Sequence, residues 1–483
     1  MQFCWIVTAQ VTPAPVVDLG YARYQGYYNQ KYDQNIYLGY AAPPVGELRW
    51  QRPQEPAANT VEDMESGAPQ LVVIQYRLGA FGFLSSAELA RLGVPNAGIH
   101  DMYASLQWVQ KFIERFGGDP NQVTIAGESA GAGAAMLLGL AHGGRDGSSL
   151  FKGIIAASPY LPAQWNYDDS QPSESYYRFA DRAGCLTDEI AAKGSVFGCL
   201  VSADTAVLKS ASDYVSTTGR YGHWAFTPVT DGVLIQERPS NRLLTGGEIN
   251  GLHIISSNNL NEGPFFVPQN ITDRLAFKIW LLNNYPLLSE QNITKILDVY
   301  AVPENACYIP VDTNGLDAPF STTNSQFATG WQQAAFNLYA EATFVCPSYW
   351  IADAYARKEG HKAWHFQYSV APGLHGDDIS PMIAMPDEPG IGTNEVFRRA
   401  FQYVWGNFIV NGDPTLSSLQ FSAVGGGDVA AAGKETWPQW EGQFTPMPLQ
   451  LLVSQLPQGE PRDPNLIVRL LRDAQLVCKN GWL

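Results

Sequence analysis

The sequence predicts an α/β chain built on a mostly parallel central sheet flanked by helices, with large loop and helical insertions. Two observations carry this expectation. Between residues 71 and 157, short apolar runs of strand length alternate with longer stretches of helical periodicity, and strands separated by helices imply parallel crossovers. The composition can also cover both faces of such a sheet. Hydrophobic residues make up 45% of the chain and aromatics 12%, against 16% charged, which excludes a disordered polymer.

The elements follow in chain order. Leu71-Val72-Val73-Ile74-Gln75-Tyr76 reads as a strand from its β-branched content, and 103–116 repeats apolar residues at helical spacing. Val123-Thr124-Ile125-Ala126 is a second strand, 130–140 a helix of small residues, and 153–157 a third strand. Further strands over 252–256 and 363–368 lie between long aromatic-rich segments, as expected if insertions decorate one sheet and form a substrate gorge. No internal repeat appears, and the one Gly/Ala-rich tract is 425–433. Residues 16–483 therefore read as a single domain, although 483 residues is about three times the usual domain size.

Charge and cysteine content bound the partners. Thirty basic side chains against 46 acidic leave a formal charge of −16, which repels phosphate backbones, so nucleic acid is not an expected partner. The longest small-apolar stretch, 131–141, contains glycines and falls short of the roughly 20 residues of a membrane helix, so no membrane span is expected. Residues 1–15 carry the apolar run Phe3-Cys4-Trp5-Ile6-Val7 followed by small residues, with no basic residue before it: a weak secretory leader. Asn270-Ile271-Thr272 and Asn292-Ile293-Thr294 are glycosylation acceptors, and with cysteines in loops they point to a secreted, disulfide-containing chain. Setting Cys4 aside as leader leaves Cys185, Cys199, Cys307, Cys346 and Cys478, an odd number without zinc-site spacing, so one thiol lacks a partner. Nothing in the sequence speaks to oligomeric state.

The chemistry centres on Gly127-Glu128-Ser129-Ala130-Gly131, which fits the nucleophile-elbow pattern Gly-x-Ser-x-Gly. Five residues alone are weak support; the strand before them and the small-residue helix after them supply the context the pattern demands. A serine on so sharp a turn leaves no room for neighbouring Cβ atoms, which explains the glycines. The serine hydroxyl needs a base, and the base an orienting carboxylate. In α/β-hydrolases these follow the serine in the order acid, then histidine. His142 lies at the end of the elbow helix, too near in sequence. His361 and His365 have metal-like spacing, but 363–368 reads as a strand, and positions four apart in extended chain lie roughly 13 Å from one another, so they cannot share an ion and read as structural. His375, in Pro372-Gly373-Leu374-His375-Gly376-Asp377 directly after that strand, is the candidate base. Glu262, in Asn258-Asn259-Leu260-Asn261-Glu262-Gly263 directly after strand 252–256, is the candidate acid, with Asp377 or Asp378 next in line.

These residues and several further motifs resemble the type-B carboxylesterase/lipase family, which includes cholinesterases and fungal secreted esterases. The motifs are Ala42-Pro43-Pro44-Val45-Gly46-Glu47-Leu48-Arg49-Trp50, Tyr76-Arg77-Leu78-Gly79-Ala80-Phe81-Gly82-Phe83-Leu84, Asn96-Ala97-Gly98-Ile99-His100-Asp101, Phe116-Gly117-Gly118-Asp119-Pro120 and the elbow. The resemblance runs from about Asp18 to the C-terminus and implies an α/β-hydrolase fold. It implies hydrolysis of a small-molecule or lipid ester, with Ser129 as nucleophile, Glu262 as acid and His375 as base, and no cofactor or metal. It further implies that the Ala130 amide donates to the oxyanion, that Ser158 supports the triad, and that Cys185–Cys199 and Cys346–Cys478 are disulfides, with Cys307 able to replace either member of the second pair. The first of these links would stabilise by about 3 kcal/mol through chain entropy.

One departure from the family pattern bears on activity. Between Arg52-Pro53-Gln54 and Leu71-Val72-Val73-Ile74 the family carries several dozen more residues, including a His-Gly-Gly-Gly loop that supplies further oxyanion donors; here Glu62-Asp63-Met64 is too small a remnant to replace it. Losing one such donor typically costs about 10²–10³ in kcat. The resemblance therefore implies either an internal deletion near 53–70, from a gene model or splice form lacking an exon, or a protein of impaired catalysis. Intact triad positions favour the first. The rival readings for function are a cholinesterase-like binding or adhesion protein without turnover, and a lipase acting on longer acyl chains.

Overall fold

In a computed structural model of the chain, the described residues are 16–19, 23–26, 41–55, 65–66, 71–188, 195–302, 327–368, 370, 372–383, 395–417 and 438–441. The leader expected over 1–15, the tract 425–433, Cys307, Cys478 and most of the junction near 53–70 lie outside them.

Two sheets form among the described residues. A small one joins β1 (Val16–Asp18), β2 (Arg23–Gly26) and β3 (Glu65–Ser66), with β1 antiparallel to β2. The central sheet is all parallel, in the order β4 (Thr124–Glu128), β5 (Gly153–Ala157), β6 (His253–Asn259) and β7 (Lys362–Tyr368). β5 is apolar and buried along its whole length, and β6 and β7 are buried at nearly every position, because helices cover both faces there. Ile154, Ala156, Ile254 and Ala363 point to one face, where they meet the helices Ala130–Leu140 and Cys346–Ala356. Ile155, Ala157, Ile255, Trp364 and Phe366 point to the other, against Phe401, Val404, Trp405 and Phe408 of the helix Glu395–Asn411. This is the period-two alternation of a strand. The Ala130–Leu140 helix, all small or aliphatic, is buried on nearly every side, as a central layer requires.

Two aromatic-rich helical clusters decorate the sheet. One comprises Arg274–Asn284, Glu290–Val299 and Gly330–Ala340; the other Ser170–Arg182, Val196–Ser202 and Thr205–Thr217. The Cys185–Cys199 disulfide links segments of the second cluster. Cys346 is also disulfide-bonded; the pairing expected with Cys478 lies outside the described residues.

The expected strand over 71–76 does not form. Only Val72 makes a strand bridge there. The apolar pattern of that run is satisfied by packing instead, since Ile74 and Tyr76 join the cluster that holds Ile125, and Val72 the cluster that holds Val123. Packing can place an extended run beside a sheet, but a strand also needs a neighbour to receive its hydrogen bonds. Among the described residues β4 pairs with β5 alone.

Candidate active site

The elbow forms where β4 ends and the Ala130–Leu140 helix begins. Ser129 sits between them at φ 55°, ψ −119°, a left-handed φ that an ordinary residue adopts only under constraint. The constraint comes from hydrogen bonds: the Ser129 amide donates to Ala157 O (2.9 Å), while its carbonyl accepts from the amides of Gly133 (2.9 Å) and Tyr160 (3.0 Å). A Cβ on Gly127 would lie 2.3 Å from the Gly131 carbonyl carbon, so glycine is required there. Gly131 departs from the sequence expectation, because a Cβ on it meets nothing within 4 Å. The turn is crowded on its Gly127 side and open on its Gly131 side.

His375 reaches the serine from the loop after β7. Its Nε2 lies 2.8 Å from Ser129 Oγ, and its Nδ1 lies 2.5 Å from Glu262 Oε2, on the loop after β6. Glu262 is fully buried, and its other oxygen accepts from the Ser158 hydroxyl (2.6 Å) and the Asn259 amide (2.5 Å). The loops that carry Glu262 and His375 are tied together by Asn261 N to Gly373 O (2.7 Å) and Asn261 Nδ2 to Pro372 O (2.8 Å). Three segments far apart in sequence thus meet at the carboxyl ends of parallel strands, where open α/β sheets place their ligands.

The electrostatics favour a basic imidazole. Burial alone would lower the His375 pKa, but the hydrogen bond and charge of Glu262 outweigh it and, with Glu128 adding, hold the group above its ordinary value. Glu128 Oε1 lies 3.1 Å from His375 Nε2. Burial raises the Glu128 pKa, against the pull of His375. The imidazole is walled by Phe344, with ring centres 4.5 Å apart, and by Phe266 at 5.0 Å, so the ring is shielded from water on its aromatic side.

Ala130 opens the elbow helix, where first-turn amides have no intrahelical acceptor and the helix dipole favours negative charge. The other histidines stand elsewhere. His142 Nδ1 faces Asp146 Oδ2 at 3.0 Å, while His365 is buried against the Ser348 hydroxyl, its pKa pushed down to about 3 by burial. His361 is near the surface with Nδ1 beside Glu359 O. Asn270 is exposed and Asn292 partly so, in the first turn of Glu290–Val299. Among the described residues no group of His, Cys, Asp or Glu is arranged to hold a metal ion, and no helix is long and apolar enough to cross a membrane.

Sequence reasoning did not place Glu128 against His375, nor the aromatic wall of Phe266 and Phe344, nor the buried pair Asn259 and Asp378, joined by Asn259 Nδ2 to Asp378 Oδ1 at 3.1 Å. Glu128 carried a signal, since it is the one charged residue of the elbow and adjoins Ser129. The rest depended on chain segments whose meeting no local pattern encodes.

Comparison with known proteins follows the same lines. The profile of the Carboxylesterase family matches residues 68–456. Lipase 2 of Geotrichum candidum is 35% identical over 253 residues, covering 50% of this chain and 44% of the lipase. Carboxylesterase patB of Penicillium expansum is 26% identical over 388 residues, 79% of this chain and 62% of its own. The chain thus spans about half the length of the Geotrichum relative, and less than two thirds of the Penicillium one. The crystal structure of Aspergillus niger EstA superposes with a TM-score of 0.67 at 24% identity, covering 83% of this chain and 89% of that one, a likeness of fold. With an α/β-hydrolase sheet beneath it and the family profile spanning most of its length, the chain belongs to the carboxylesterase family.

Proposed function

We propose that the protein is a serine hydrolase that cleaves carboxylic esters through an acyl-enzyme on Ser129. The observation that carries this reading is the unbroken hydrogen-bonded line Ser129 Oγ, His375 Nε2, His375 Nδ1, Glu262 Oε2. Ser129 Oγ attacks the ester carbonyl carbon as its proton passes to His375 Nε2; the imidazolium then protonates the departing alcohol. A water, deprotonated by the same nitrogen, displaces the serine and releases the acid. Glu262 accepts from Nδ1–H, which fixes the tautomer, and Ser158 anchors the other Glu262 oxygen. The Ala130 amide donates to the oxyanion.

The substrate is a small-molecule or lipid ester; relatives named as lipases and as carboxylesterases support both classes. We place residues 16–483 in one hydrolase domain lacking an internal segment near 53–70, with Asn270 and Asn292 as glycosylation sites and Cys346–Cys478 as the second disulfide. Relatives from Gibberella zeae and Arthroderma benhamiae named secreted lipases support an extracellular location. A second reading, a binding protein of impaired turnover, is favoured by one observation: β4 ends in the nucleophile yet its outer edge is unpaired among the described residues.

A fluorophosphonate probe separates these readings. Labelling that disappears in Ser129→Ala, together with nitrophenyl butyrate turnover, is the expected result. Labelling without turnover assigns the binding role, and an unlabelled chain overturns the nucleophile.

A further inference from the structure

Beside the triad lies a buried polar cluster that the proposed reaction does not use. Asp378 and Asn259 are both fully buried. Asn259 spends its two amide hydrogens on Ser158 Oγ and Asp378 Oδ1, each at 3.1 Å. Among the described residues two acceptors then receive no hydrogen bond from the protein, Asn259 Oδ1 and Asp378 Oδ2. Buried polar atoms are almost always paired, so two orphans on side chains already joined to each other call for a common cause. One proton supplies it. A carboxylic acid and a primary amide form a two-armed pair in which the amide N–H meets the carboxyl C=O and the carboxyl O–H meets the amide C=O.

We propose that Asp378 is a positioning residue held as a neutral carboxylic acid, its Oδ2–H donated to Asn259 Oδ1, so that the acid–amide pair fixes Asn259, through it Ser158, and through Ser158 the Glu262 carboxylate. This deepens the hydrolase reading and rests on it. The surroundings agree. Burial raises the Asp378 pKa to about 7 against the hydrogen bond from Asn259, and the charges of Glu262 and Glu128 add to the rise while His375 opposes it. The other titratable groups near it are Tyr368, at the end of β7, and Asp377, whose Oδ2 is taken by the Leu374 amide. A second negative charge beside Glu262 would compete with it for the imidazole; a neutral acid orients without competing. Ser158, at φ 49°, is itself held in a left-handed conformation, so the hydroxyl that donates to Glu262 needs such support.

The test compares Asp378→Asn with Asp378→Ala. An asparagine reproduces both arms of the pair without a charge, whereas alanine strands the Asn259 amide. We expect Asp378→Asn to keep kcat within about fivefold of the parent and Asp378→Ala to lose about 50-fold in kcat, with KM little changed in either. A second readout needs no turnover. Because the folded pKa is raised, the proton stabilises the fold below the unfolded value of 3.8, and that stability is lost as pH rises to the folded value of about 7. The melting temperature of the parent minus that of Asp378→Asn should therefore fall between those pH values and level off above. An Asp378→Asn variant as impaired as Asp378→Ala, or a melting difference flat from pH 4 to 7, overturns the proposal. If the parent hydrolyses no ester, the hydrolase reading fails while the melting comparison still decides the state of Asp378.

Discussion

The two edges of the central sheet are built to different standards. At one edge β7 buries Trp364, Phe366 and Tyr368 almost completely, packs against the Glu395–Asn411 helix, and receives the Trp440 amide on Ala363 O at 2.7 Å, with the Trp440 ring stacked on Tyr349. At the other edge β4 is half-buried along its length, Ala126 is exposed in mid-strand, and no described strand pairs with its outer side. An edge strand normally carries charge or cover against water and foreign strands. Among the described residues β4 has no strand on that side, only the packing of Val72, Ile74 and Tyr76 beside it, yet it leads into the proposed nucleophile. The difference teaches that, among the described residues, the loops of Glu262 and His375 leave well-packed strands while Ser129 follows a strand paired on one side alone.

The largest effects sharpen that contrast from the well-packed side. His375→Ala removes the base and Glu262→Gln leaves an imidazole that is merely misoriented. Both should lower kcat for nitrophenyl butyrate by orders of magnitude, about 10³ or more, His375→Ala at least as much as Glu262→Gln. A fully active Glu262→Gln enzyme would move the acid elsewhere.

Extending the β4 edge comes next. Inserting a relative's intervening segment between Gln54 and Leu71 should raise kcat by about 10²–10³ for each oxyanion donor it restores, and should raise the melting temperature by giving β4 a neighbour. Equal activity and equal melting temperature in the two chains would show that the oxyanion site is complete without it.

Core truncations probe the same contrast through stability. Phe366→Ala on β7 should cost about 3–5 kcal/mol, as removal of a fully buried aromatic does. Ile125→Ala on β4, only partly buried, should cost about 1 kcal/mol. Denaturant unfolding of both variants checks this, and comparable losses would mean that the β4 edge is covered in solution.

The smallest effect is electrostatic. His375 must be neutral to act as base, and its raised pKa places the acid limb of kcat/KM above the ordinary histidine value of 6.5. Glu128→Gln removes one of the charges holding it there, so the limb should move to lower pH, with activity gained on the acid side. A limb that stays in place would show that the Glu128 carboxylate is already neutral in the working enzyme.

What the sequence by itself determined is what contiguous residues encode. The strand-turn-helix around Ser129, the helix Ala130–Leu140 and the strand Gly153–Ala157 were legible because period and turn chemistry are local. His375 stood out as a residue of a glycine-lined loop directly after a strand, and Glu262, placed in the same way, was preferred over a solvated loop acid only through the family resemblance. The tertiary structure alone decided the rest. Leu71 to Tyr76 has every mark of a strand, yet pairing needs a partner from elsewhere in the chain, and propensity cannot supply one. Gly131 looked as constrained as Gly127, but crowding depends on what lies across from a residue, and across from Gly131 there is space. The link from Asp378 through Asn259 and Ser158 to Glu262 joins residues up to 119 positions apart. Their buried acceptors become a question only once folding has taken water away from them.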